Sequence, residues 1–106
     1  MISDDDAERA LDFLKVSAKA YAKAKAERIY IEEFRKSKKA ILMKASGDQS
    51  AAAQERDAYA HPEYVAFLDG LKAAVEEEEA LRWKIASAEL QIHLWQTQSA
   101  NNRKGI

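Results

Sequence analysis

The side chains here that could do chemistry are two histidines, a run of four glutamates and a block of cations. His93 follows Glu89 by one helical turn, so the two would share one side of a helix. A carboxylate-bridged metal bundle uses Glu-x-x-His on paired helices with further inward glutamates. Glu89 and His93 are four apart, the pair occurs once, and no zincin spacing accompanies it. His61 precedes Pro62 and reads as a turn residue at a helix entrance. The run Glu76 to Glu79 reads as a solvated or pairing face rather than an acid and base pair. The glycines are isolated, which removes a phosphate-cradling loop, and with no cysteine there is no thiolate or disulfide. These residues predict no enzyme, no metal or other cofactor, and no small-molecule substrate.

The cations are more informative. Arg35, Lys36, Lys38, Lys39 and Lys44 fall within one ten-residue stretch that contains no acid. Such a block can neutralise phosphates while its stems lie over apolar surface. At a helix C-terminus the same charges would also complement the dipole and the last carbonyls. Tyr30 and Phe34, just before it, suit base stacking and core packing equally. A net charge of −1 gives no global pull toward nucleic acid, so any attraction must be local. Direct nucleic-acid binding through this block is therefore the alternative functional reading. Lys15, Lys19 and Lys23 form a further ladder of single-turn spacing that reads as a solvated flank.

The elements that must carry these residues are helices. Ser3 followed by Asp4, Asp5 and Asp6 is a helix start, with small polar caps and carboxylates at the positive dipole end. The pattern predicts a helix over about 6–46, closed by Ser46-Gly47, with Gly47 as the left-handed residue. Ser50 caps a short helix over about 51–60. His61-Pro62 then opens a third helix over about 62–101, followed by a short tail from Asn101 to Gly105. The fold class is all-α: one domain over 1–106, a long antiparallel helical hairpin with a short connecting helix. No run approaches the ~18 apolar residues of a membrane span, and the acidic start is unlike a targeting segment. The expectation is a soluble cytoplasmic protein that does not engage a membrane.

Each long helix carries apolar residues on two faces. On the first, Leu11, Leu14, Ala18, Ala22 and Ile29 form one row, expected inward. Phe13, Val16, Ala20, Ala24 and Ile31 form the opposite row at ~100° per residue. On the last, Leu71, Val75, Ile85, Ala88, Ile92 and Trp95 suit the hairpin, whereas Ala80, Trp83, Leu90 and Leu94 point away. Pairing Leu14 with Trp95 and Tyr21 with Ala88 would bring Leu42 near Ala66. It also sets Lys25 and Arg28 level with Glu76, Glu78 and Glu79, a charged layer that would fix register and direction. The outward residues Phe13, Val16, Ala20, Ala24, Trp83, Leu90 and Leu94 predict a homo-oligomer, two hairpins pairing as a four-helix bundle.

The second half carries an Ala-His-Pro-Glu-Tyr helix entrance, Glu-Glu-Ala-Leu-Arg-Trp in mid-helix and a Trp-Gln-Thr-Gln-Ser-Ala-Asn-Asn-Arg end. In these features it resembles small, mostly uncharacterised helical proteins of tailed bacteriophages and prophages. Tyr21-Ala-Lys-Ala-Lys-Ala-Glu-Arg and Glu-Glu-Phe-Arg-Lys-Ser extend the likeness in style to the first half. The resemblance implies a gene among early functions for DNA replication or recombination, a bacterial host cytoplasm, and no catalytic residues. The combined expectation is a non-enzymatic, self-associating phage or prophage accessory protein. It would act by binding a protein partner, in phage DNA metabolism.

Overall fold

The computed structural model describes residues 1–48 and 50–104. Three helices follow one another: α1 (Asp4–Ala45), α2 (Ala51–Ala60) and α3 (Pro62–Lys104). Their ends are set by the residues expected to set them. The Ser3 hydroxyl accepts the Asp6 N–H at 3.0 Å while the Asp6 carboxylate accepts the Ser3 N–H at 3.2 Å, a reciprocal capping box. Gly47 takes φ 77° just past α1, and Ser50 accepts the Ala53 N–H at 3.1 Å to start α2. His61 ends α2 through its own N–H to the Ala58 carbonyl and opens α3 by accepting the Glu63 N–H on Nδ1. α3 runs on through Asn101 to Lys104, where a tail was expected, and Gly105 of that tail lies outside the described residues. Arg103 and Lys104 in the last turn favour the helix by complementing its negative end.

Capping makes a pH-dependent prediction. The Ser3 backbone N–H first, then the Ser3 hydroxyl and the Arg9 guanidinium, hold the Asp6 carboxyl below its ordinary value. A lowered folded-state value means stabilisation that is complete above the unfolded carboxylate range, about pH 4, and lost as pH falls through the folded value. Urea titrations of the wild type and Asp6→Asn should therefore differ at neutral pH and converge in acid. A gap that persists below the carboxylate range contradicts this role for Asp6.

α1 packs against α3 as a helical hairpin, and the packing divides into two units. In the first (1–23 with 78–106), burial recurs along α1 at Ala7, Ala10, Leu14, Ser17 and Tyr21. Along α3 it recurs at Glu78, Leu81, Ile85, Ala88, Ile92, Trp95 and Ser99. The alternating spacing of three and four is the 3.5-residue period of a coiled-coil seam. The Trp95 indole N–H donates to Asp4 at 2.7 Å and the Ile2 N–H to Gln98 at 3.2 Å, tying the chain start to the end of α3.

The second unit (24–77) contains α2. Its buried rows are Ala24, Arg28, Ile31, Phe34, Lys38 and Leu42 on α1 and Tyr64, Phe67, Leu71 and Ala74 on α3. Leu42, Ala58 and Tyr64 form a small core with Met43 against it, and Ala58 is wholly buried. Aromatic rings continue from it: Tyr59 meets Tyr64 edge-on at 5.2 Å, Tyr64 meets Phe67 at 6.3 Å, and Phe67 meets Phe34 at 6.1 Å. α2 lies back along the end of α1, through Lys39 to Glu55 at 2.9 Å and the Ser46 hydroxyl to Asp57 at 2.7 Å.

Two expectations are corrected. The seam does not follow the row of Leu11, Ala18, Ala22 and Ile29, all of which are exposed. It passes instead through Ala24 and Ile31, because burial repeats every 3.5 residues and not with the straight-helix period used to draw the two rows. The register also slides. Trp95 binds Asp4 rather than lying near Leu14, a shift of roughly three turns at ~3.6 residues each. α2 occupies the last turns of α1, so α3 begins level with Lys38, which pairs with Glu63 at 3.3 Å.

Candidate functional site

Two surfaces stand out, one in each unit. In the first, α3 presents Trp83, Leu90 and Leu94 to solvent at 66%, 56% and 43% exposure. At ~100° per residue, Trp83 and Leu90 point directly opposite the seam residues Leu81, Ile85 and Ala88. Nothing in this unit's own packing requires large apolar side chains there. Ala80 is exposed one turn before Trp83 and extends the row. Arg82 turns to Glu79 at 3.4 Å, and its guanidinium lies over the Trp83 ring at 5.7 Å.

The α1 residues expected to complete this surface divide. Val16 is 72% exposed and Ala20 is exposed. Phe13 is half-buried on a flank shared with Lys84, Ser87 and Gln91. Ala24, at 4% exposure, is spent in the seam and is removed from the interface set. A second apolar feature of this unit was not anticipated. Leu11, Ile92 and Trp95 line an open cleft of about 360 Å³ with Asp4 and Glu8 at its edge. Leu11, expected inward, instead lies exposed at this cleft.

The charged layer is only partly inward. Lys25 and Glu76 are exposed, and Glu79 is engaged by Arg82. Arg28 is half-buried in its row and bonds Glu32 one turn on at 2.9 Å, while Glu78 is buried. Lys25 and Glu76 therefore stand on solvated faces, while Arg28 to Glu32 and Arg82 to Glu79 are pairs within one helix.

The second surface is the basic block, and the structure sorts its members. Lys38 and Lys39 are paired to Glu63 and Glu55, so neither is a free cation. Lys39 also sits 4.8 Å above the Tyr59 ring, and its ammonium is held above the usual lysine value by Tyr59 first and Glu55 next. Arg35, Lys36 and Lys44 are exposed and make no ion pair among the described residues. Tyr30 and Phe34 stack at 6.2 Å with Tyr30 69% exposed. Sequence reasoning missed Tyr59 and Tyr64, because only the fold-back of α2 brings them beside the cations.

His93 and Glu89 are both exposed, and among the described residues no three His, Asp or Glu side chains gather as a metal-holding group. No described helix is long and apolar enough to cross a membrane. No family model matches the chain, and no curated protein or solved structure is similar enough to match it.

Proposed function

We propose that this chain is a non-enzymatic accessory protein that self-associates and acts by holding protein partners, with α3 of the first unit as its contact surface. One observation carries the reading: Trp83, Leu90 and Leu94 form a single exposed row on the side of α3 facing away from the seam. Burying a large apolar side chain contributes about 1.5–3 kcal/mol, so a row of three is a strong association signal. The row lies in the C-terminal half, which also carries the resemblance to phage and prophage proteins. That likeness supports a place among early phage functions in the bacterial cytoplasm, beside DNA metabolism. Sedimentation velocity over a wide concentration range tests the reading. A dimer or larger species that dissociates on dilution is expected. A monomer at every concentration ends it.

A further inference from the structure

The second unit holds a site of a different kind. Arg35, Lys36 and Lys39 from α1 surround an open cleft of about 360 Å³ with Tyr59 from the end of α2 and Tyr64 from the first turn of α3. Tyr64 is buried and fixes the Tyr59 ring edge-on at 5.2 Å. Tyr59 stays 45% exposed. Lys39 is committed to Glu55 and to the ring beneath it, which leaves Arg35 and Lys36 as the uncommitted cations at the rim. The cleft thus offers two free positive charges beside a held, half-exposed aromatic ring. Its volume lies at the small end of organic-ligand sites, which span about 300–1,000 Å³.

We propose that this cleft binds a nucleoside phosphate, with the phosphate on Arg35 and Lys36 and the base against the exposed part of the Tyr59 ring that Lys39 leaves uncovered. The unit is either a residue of single-stranded nucleic acid or a free nucleotide, since both present the same groups. An acidic peptide would satisfy the cations through its carboxylates alone, without requiring a flat group against the tyrosine ring. A base pair inside a duplex keeps its faces stacked and cannot reach the ring. The site lies in the second unit and is independent of the self-association surface, so either can fail alone.

The test is fluorescence anisotropy of a labelled oligothymidylate titrated with the full chain across a series of salt concentrations. Arg35→Gln with Lys36→Gln should weaken binding at least about tenfold and flatten the log–log salt slope by about 0.7, the loss of the one single-strand phosphate that the two cations share. Tyr59→Leu should weaken binding about 5- to 150-fold, the size of one lost base–aromatic stack, and leave the slope unchanged. Tyr59→Phe should retain most of the affinity, and Lys15→Gln with Lys19→Gln should change nothing. Displacement by an unlabelled nucleoside monophosphate identifies free nucleotide as sufficient. Displacement by oligomer alone identifies the strand. No binding at low salt overturns the proposal, as does an Arg35 and Lys36 double variant that binds like the wild type. Equal displacement by polyglutamate or inorganic polyphosphate also overturns it, by showing a surface that reads charge alone.

Discussion

Trp83→Glu combined with Leu90→Glu should dissociate the protein to monomers without changing its helicity. Both positions are more than half exposed and lie opposite the seam, so the glutamates remain solvated in the free chain. In an assembly they would place two charges in an apolar contact and require desolvation that no partner group offsets. The association constant should fall at least about 100-fold, equivalent to about 2.8 kcal/mol. Sedimentation reads the association and circular dichroism reads the helix content. Leu11→Glu is the informative comparison, because Leu11 lines the separate cleft with Ile92 and Trp95. A Leu11 variant that dissociates, beside a Trp83 and Leu90 variant that does not, would move the contact to that cleft.

The second large effect concerns stability, and two neighbouring residues separate it. Leu42 is 4% exposed in the core with Ala58 and Tyr64, while Ile41 beside it is 55% exposed. Leu42→Ala should cost about 2–4 kcal/mol, from lost burial and from a cavity that the packed α2 cannot fill. Ile41→Ala should stay within about 0.5 kcal/mol, as exposed substitutions do. Urea unfolding followed by helicity measures both. Equal losses would mean that α2 does not pack as described. The loss should be felt across the second unit, since Tyr64 links this core to the ring series through Phe67 and Phe34.

Apart from the end of α3, helix boundaries were legible because they rest on local chemistry: the Ser3 box, Gly47, the Ser50 cap and the His61-Pro62 entrance each act within a few residues. The outward row on α3 was legible for a related reason, since Trp83, Leu90 and Leu94 are large and share one side. The seam was not. Its residues include Ser17, Arg28, Lys38, Ala74 and Glu78, which carry little or no hydrophobic signal. The conspicuous Leu11 and Ile29 lie outside it. Apolar residues around the whole circumference of α1 therefore misdirected any assignment made by hydrophobicity. The register escaped for a different reason. It depends on α2 folding back along α1 through Lys39, Glu55, Ser46 and Asp57, contacts that no periodicity encodes. The same fold-back assembles the tyrosines beside the cations, so the cleft they share with Arg35 and Lys36 was invisible to a reading along the chain.

Alanine supplies five of the tightly buried apolar positions: Ala7, Ala10, Ala24, Ala58 and Ala88. A side chain that ends at Cβ has no rotamers to lose, so closing these layers costs almost no side-chain freedom. It also makes errors one-sided. Apart from glycine, which weakens a helix by about 1 kcal/mol, every replacement at these positions is larger than the residue it displaces. Genetic drift at these sites can hardly open voids; it can only wedge backbones apart. The lineage of such a chain should accordingly accept change freely on its outer surface away from the Trp83 row and the Tyr59 cleft, and hold these five small residues under purifying pressure, a pattern opposite to that of a core built from leucine.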